Sequence, residues 1–345
     1  MFSKRILLLI LVISLIYSVS AVRSINEQPS VRLMNAAHGE VLMPVVGLGT
    51  GGYGQPNGTG GEYWGPEQGH NATLTWLQLG GRRIDTADDY ESIDGVGTGW
   101  VASGIARSQI FITSKVDPSG YDQALEEFAG ILKSLKTDYI DLLLIHWPGS
   151  EPGEASSKPI PPCKQGKPTW IDCRIHTWKA LEKLFDQQQV RAIGVSNYEV
   201  NHLLEIFNLN SSIPSVNQVE FHLYWHEDEL LDFCKNHNIT FNSYSPGGTP
   251  DHAAWLGPSW NPIPDMRNHP NVTKIAQKHA KTPAQILYRW HLEQGIVINP
   301  RTRNLTHMME NLSIFDFELD TQDMMTLTYL NHPMSKVCGD PRLIL

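Results

Sequence analysis

Four side chains in this sequence could together deliver a proton to a carbonyl oxygen. Asp85 ends the short run Arg82-Arg83-Ile84, and Tyr90 follows in a polar loop. Lys115 ends the run Ile110-Phe111-Ile112-Thr113-Ser114, and His146 ends Tyr139-Ile140-Asp141-Leu142-Leu143-Leu144-Ile145. A lone tyrosine is a weak acid at neutral pH, with a reference pKa of about 10. A nearby ammonium favours the phenolate, and a carboxylate holds that ammonium in place. A histidine beside them can hydrogen-bond the oxygen being protonated. Taken singly, Asp85 could cap a helix, Lys115 could be a solvated charge and His146 could fill a core position. Their shared placement at or just past strand-like runs argues otherwise. Successive parallel strands would bring all four to one rim, where α/β barrels build their active sites.

The elements that must position them show as an alternation of apolar runs and helical patterns. Val31–Met34 and Val41–Met43 predict a hairpin around Asn35–Gly39, and Val45–Gly49 predicts the first barrel strand. Helical patterns cover 72–79, 94–106 and 121–135. After His146 a long loop runs to Asp172, followed by a helix over Ile175–Gln188. Further strands are predicted at 190–195, 216–221, 239–244 and 296–298, and further helices at 227–236, 272–279 and 283–293. Thr282 and Pro283 mark the start of the last helix as N-cap and first helical residue. A second long loop covers 245–270. Apolar strands alternating with helices predict a parallel sheet covered by helices. Eight such units over about 300 residues suit a closed (β/α)8 TIM barrel, with long loops at its C-terminal rim. A doubly wound open sheet is the alternative. The barrel is placed at 31–330 and a C-terminal loop at 331–345.

Composition sets further bounds. The 345 residues are 41% hydrophobic and 18% charged, enough for one sizeable core. The formal charge is −9 with no basic stripe, which excludes nucleic acid as the expected partner. Lys4 and Arg5 precede an apolar run, Ile6–Tyr17, and the small residues Ser18, Ser20 and Ala21 follow. That order predicts a secretory signal peptide over 1–21, with an uncleaved anchor as the alternative. Asn57, Asn71, Asn210, Asn238, Asn271, Asn304 and Asn311 each open an Asn-x-Ser/Thr triplet, which favours a glycoprotein that is secreted or held in the ER lumen. In that compartment a Cys163–Cys173 disulfide is expected, inside the first long loop. Cys234 reads as a buried thiol. No CxxC pair is present and no metal site is expected.

Several stretches carry a family resemblance. They are Gly47-Leu48-Gly49-Thr50, Asp85-Thr86-Ala87 with Tyr90, Ile112-Thr113-Ser114-Lys115, and Asp141-Leu142-Leu143-Leu144-Ile145-His146-Trp147-Pro148. Gly194-Val195-Ser196-Asn197-Tyr198, Asn217-Gln218-Val219-Glu220, and Glu310-Asn311 with Phe315-Asp316-Phe317 complete the set. In order and spacing the chain resembles the aldo-keto reductases, of the aldose and aldehyde reductase kind. The resemblance implies a barrel whose floor is closed by the N-terminal hairpin, and NAD(P)H-dependent reduction of an aldehyde or ketone to the alcohol. Tyr90 would be the proton donor, Lys115 and Asp85 would tune it, and His146 would orient the carbonyl. Thr50, Asp85, Ser196, Asn197 and Gln218 would line the nicotinamide end of the cofactor, Tyr244 would stack on its ring, and Ser245 would open the pyrophosphate loop. Arg301, Thr302 and His307 match the positions around a 2′-phosphate, and Asn311 the one that contacts adenine. His307 stands where the family has an arginine and lacks its fixed charge, with Arg303 as a candidate substitute. NADPH is the expected cofactor, with NAD possible.

Substrate walls are expected from Trp147, Tyr53 and Trp255, together with Trp170 and Trp260. The segment 55–67 is longer than the family's first loop. A monomer acting on a small carbonyl compound, without a stable membrane span, is the overall expectation. Two other readings compete: a nucleotide-binding carrier without turnover, and a barrel hydrolase with two catalytic carboxylates. The intact Asp85, Tyr90, Lys115 and His146 set argues against the carrier, and Lys115 as the partner of Asp85 argues against the hydrolase.

Overall fold

The computed structural model describes residues 28–344 apart from 37–38, 53–55, 57–61, 150–162, 164–168, 249–263 and 332–335. The predicted signal segment, Tyr53, Trp255, Trp260 and the Asn57 triplet therefore lie outside the described residues.

Two short strands come first, β1 (Ser30–Arg32) and β2 (Leu42–Pro44), paired antiparallel with Val31 opposite Met43. Eight parallel strands follow in one sheet: β3 (Leu48–Gly49), β4 (Arg83–Asp85), β5 (Phe111–Val116), β6 (Leu142–Ile145), β7 (Ile193–Ser196), β8 (Val216–Glu220), β9 (Thr240–Tyr244) and β10 (Val297–Asn299). Each neighbours the next in sequence. The sheet closes on itself through a parallel bridge between Val46 and Ile298, where Gly47 N–H donates to the Ile298 carbonyl at 2.9 Å. The fold is a (β/α)8 barrel. Its helices are α1 (Pro66–Gln78), α2 (Ile93–Ala102), α3 (Tyr121–Leu135), α4 (Trp170–Asp186), α5 (Val200–Phe207), α6 (Asp228–Asn236), α7 (Pro270–His279), α8 (Pro283–Glu293), α9 (Leu305–Leu312) and α10 (Thr321–Thr328).

The strands are apolar because both faces are covered. All four residues of β6 are buried. One core layer lies between sheet and helices and includes Trp76, Trp178 and Trp290. A second joins Leu33, Val41 and Met43 of the N-terminal hairpin to Phe111, Leu142, Leu144, Ala192, Val216 and Val297, most of which begin their strands. The hairpin is thus the barrel floor, and the opposite rim is free to carry chemistry. Among the described residues no helix is long and apolar enough to cross a membrane.

Several spans differ from the sequence pattern. α3 and α8 occupy the predicted residues, but α4 starts at Trp170 rather than Ile175. The cause is a capping box: Asp172 N–H donates to Thr169 Oγ1 at 3.2 Å, and Thr169 N–H donates to Asp172 Oδ2 at 2.9 Å. Cys173 consequently sits in the first turn of a helix, not in a loop, while bonded to Cys163 as expected. The first barrel strand is shorter than Val45–Gly49, because the residues before Leu48 meet β10 only through the closing bridge. α5, α9 and α10, eight residues each, go beyond the elements read from sequence.

Candidate active site

Parallel strands that end at a common rim deliver their last residues to one place. Asp85 is the last residue of β4, Lys115 lies one before the end of β5, and His146 directly follows β6. Ser196 ends β7, Gln218 lies within β8, and Tyr244 ends β9. Asp85, Lys115 and Gln218 are buried and Tyr90 is half-buried.

Lys115 Nζ donates to Asp85 Oδ1 at 2.6 Å and to the Thr86 carbonyl at 2.9 Å. Its third donor direction reaches Tyr90 Oη at 3.5 Å, and Nζ stands 4.9 Å from the Tyr90 ring centre. The other oxygen of Asp85 accepts from Gln218 Nε2 at 2.6 Å. A carboxylate bound on both sides cannot swing away, so the ammonium it holds is fixed beside the phenol. Thr50 closes the base of the group, its hydroxyl donating to the Asp85 carbonyl at 2.9 Å. Gly51 makes room for the phenol: a Cβ there would stand 2.8 Å from Tyr90 Cζ.

His146 packs edge-on to Tyr90, with ring centres 5.6 Å apart. Its Nδ1 is 3.3 Å from Asp89 Oδ1, a partner the sequence reading missed. Partial desolvation works against the charge on Asp89, but the attraction of His146 and Lys115 together outweighs it and holds the carboxyl below its usual range. The doublet Asp88-Asp89 just before Tyr90 was the available signal. Beneath the site lies buried Arg83, whose guanidinium donates to the Ile298 carbonyl at 2.6 Å. Burial lowers its proton affinity and Asp85 opposes that effect.

A line of amides and hydroxyls continues around the rim. Asn197 Nδ2 donates to the His146 carbonyl at 2.9 Å, and Tyr244 Oη donates to Asn197 Oδ1 at 2.7 Å. Ser196 Oγ donates to the Gln218 carbonyl at 2.8 Å. Ser245 takes a left-handed backbone conformation, φ 51°, at the start of the long loop. Across the mouth, Arg301 Nη1 donates to the Gly51 carbonyl at 2.8 Å. Thr302 Oγ1 accepts from Asn304 N–H, and Asn304 caps α9 by accepting from His307 N–H at 3.2 Å. His307 is exposed and Asn311 is buried on α9. Trp147 is half-buried next to the site, and the following Pro148 carbonyl accepts from buried Arg174 of α4 at 3.1 Å.

The sequence profile of the Aldo/keto reductase family matches residues 45–332. This chain belongs to that family. Among curated relatives, a 9,11-endoperoxide prostaglandin H2 reductase of Trypanosoma cruzi is 37% identical over 309 residues, covering 88% of this chain and 93% of its own. A glyoxal reductase of Bacillus subtilis is 37% identical over 299 residues, covering 85% of this chain and 91% of its own. Among solved structures, a Bombyx mori aldo-keto reductase in complex with NADP superposes with a TM-score of 0.75 at 26% identity, covering 91% of this chain and 95% of its own. An aldo/keto reductase from Brucella melitensis gives a TM-score of 0.71 at 32% identity, covering 88% and 100%.

The reductase is therefore an NADP(H)-dependent oxidoreductase of carbonyl compounds. Its rim suits that cofactor chemically: side-chain amides can meet a carboxamide, an aromatic ring can face the nicotinamide, and two arginines can meet phosphate. Two other features of the reductase complete the picture. His222 and His226 have a spacing that metal-binding helices use, a point missed in the sequence, but here they lie on a turn. His222 Nε2 meets Glu220 Oε1 at 3.0 Å and His226 Nε2 the Leu223 carbonyl at 3.1 Å. The C-terminal segment folds back on the rim, where buried Glu220 accepts from Val337 N–H at 2.5 Å and Cys338 N–H at 2.8 Å.

Proposed function

We propose that Tyr90 is the proton donor of this carbonyl reduction, and that the substrate is an aldehyde or ketone with an apolar or aromatic body. The observation that carries this reading is the shared ammonium of Lys115, 2.6 Å from Asp85 Oδ1 and 3.5 Å from Tyr90 Oη. The bound cofactor supplies the hydride from nicotinamide C4. Tyr90 gives its proton to the carbonyl oxygen, and the Lys115 ammonium stabilises the phenolate left behind until solvent restores the proton. Asp85, held by Gln218, keeps the ammonium from turning away. His146, with Nδ1 beside Asp89, uses Nε2 to place the carbonyl oxygen.

Ser196, Asn197 and Gln218 are assigned to the carboxamide and Tyr244 to the nicotinamide face. Ser245 is assigned to the pyrophosphate, Arg301, Thr302 and His307 to the phosphate end, and Asn311 to adenine. The two curated relatives are named for chemically unlike substrates, so neither is carried over; half-buried Trp147, directly after His146, favours an apolar carbonyl. NADPH mixed with an aromatic aldehyde tests the reading through loss of reduced-cofactor absorbance. Turnover that survives Tyr90→Phe at the wild-type rate removes Tyr90 from the chemistry.

We further infer a monomer that travels the secretory route. The charged, apolar, small-residue order at the N-terminus, the asparagine triplets and the Cys163–Cys173 disulfide support the route. Asn71, Asn210, Asn238 and Asn304 are exposed, whereas Asn311 is buried. Peptide mapping after secretion should find glycans among Asn71, Asn210 and Asn238, with Asn304 and Asn311 bare because a glycan at either would obstruct the cofactor; a chain retained in the cytosol without glycans overturns the route.

A further inference from the structure

The segment between β3 and α1 ends beside the arginines that follow β10. It carries Glu62 and Trp64 to them. Glu62 Oε1 accepts from Arg303 Nε at 2.7 Å and pairs with Arg303 Nη2 at 2.5 Å. Its other oxygen stands 4.0 Å from Arg301 Nη2. Buried Trp64 lies against both guanidiniums, whose carbons are each 5.8 Å from its ring centre. An internal carboxylate thus sits on the two cations available for a 2′-phosphate. His307, at the third phosphate position, is exposed and lacks a fixed charge.

The two nicotinamide dinucleotides meet this arrangement differently. A 2′-phosphate brings negative charge to guanidiniums that already face one carboxylate, so it must share or displace Glu62. A ribose 2′-hydroxyl brings no charge and can donate to a carboxylate, the contact by which dinucleotide-binding folds select NAD. We propose that Glu62 is a cofactor-selecting residue: by holding Arg303 and facing Arg301 it narrows the preference for NADP(H) over NAD(H). The inference rests on the assignment of the phosphate end to this part of the rim.

Titration calorimetry with NADP+ and NAD+ tests it without any turnover, on the wild type, Glu62→Gln, Arg303→Met and the double variant. The Glu62 side chain is 34% exposed, so its charge is partly screened. Glu62→Gln is expected to tighten NADP+ binding roughly fivefold while moving NAD+ by less than about twofold. The gain should vanish in the Arg303→Met background, and higher salt should shrink it. An unchanged or weakened NADP+ affinity in Glu62→Gln overturns the role of Glu62, as does an equal shift for both nucleotides. In both cases the phosphate assignment stands if Arg303→Met still weakens NADP+ selectively. A wild type that binds neither nucleotide overturns the assignment and the inference together.

Discussion

Two buried carboxylates, one before β6 and one at the end of β4, show how floor and rim differ. Asp141, just before β6, accepts from Arg107 Nη1 at 2.8 Å, Arg191 Nη1 at 2.7 Å and Ile112 N–H at 2.9 Å. Asp85, at the end of β4, is bound on both oxygens too. At the floor Arg107 also donates to the Ile110 and Tyr139 carbonyls, to Thr137 Oγ1 at 3.0 Å and to the Tyr139 hydroxyl at 3.3 Å. At the rim the partner cation has a third neighbour, a phenol at the barrel mouth. Burial, pairing and a neighbouring phenol are thus common to both sites; the difference is that the Tyr139 hydroxyl donates back to the Arg107 carbonyl at 3.3 Å, whereas the rim phenol stands at the barrel mouth among the strand-end residues.

That contrast can be broken from either side. Tyr90→Phe should cost the most, roughly a thousandfold in kcat by absorbance assay, with cofactor affinity nearly intact. Equal loss of cofactor binding would merge the acid with the binding site. Lys115→Met should lower kcat roughly a hundredfold and also lower the melting temperature, because Asp85 stays buried without its ammonium. Asp141→Asn should separate the two effects. Chemical denaturation is expected to show a loss of about 3 kcal/mol, the Arg191 side chain being 40% exposed and able to turn to water, with kcat within about twofold. A large kcat loss in folded Asp141→Asn would erase the distinction.

Glu220 is the intermediate case, on the rim but tied to the tail. Burial resists its ionisation, yet Lys336, His222 and the Cys338 amide prevail and hold it down to about 2. Its folded value lies below its ordinary value of 4.5, so its stabilisation is present above that pH and is lost as pH falls toward 2. Denaturation at pH 6 and pH 3 should differ by about 2 kcal/mol through this group, and Glu220→Gln should flatten the difference. The smallest effect is expected from Asp89→Asn. Its side chain is 55% exposed, so losing the pair with His146 should lower kcat/KM by less than about tenfold.

Sequence reasoning reached the rim more easily than what surrounds it. Asp85, Lys115 and His146 were legible because strand ends show as apolar runs that stop at a polar residue. The barrel was legible because its period repeats. Asp89 and Glu62 were not, since their partners lie 57 residues away at His146 and 241 residues away at Arg303; the Asp88-Asp89 doublet hints at charge near Tyr90 but does not name its partner. The start of α4 was missed for a different reason: its capping box sits in a stretch rich in proline and glycine, which reads as loop. α5, α9 and α10 are too short for periodicity to stand out.

Gly51 has a consequence for redesign. Its carbonyl accepts from Arg301, and the space where its side chain would be is filled by the Tyr90 ring. Any larger residue would press on the Tyr90 ring and pull on Arg301 at once. Laboratory evolution toward new carbonyl compounds should therefore find position 51 closed, and should collect its useful changes around Trp147.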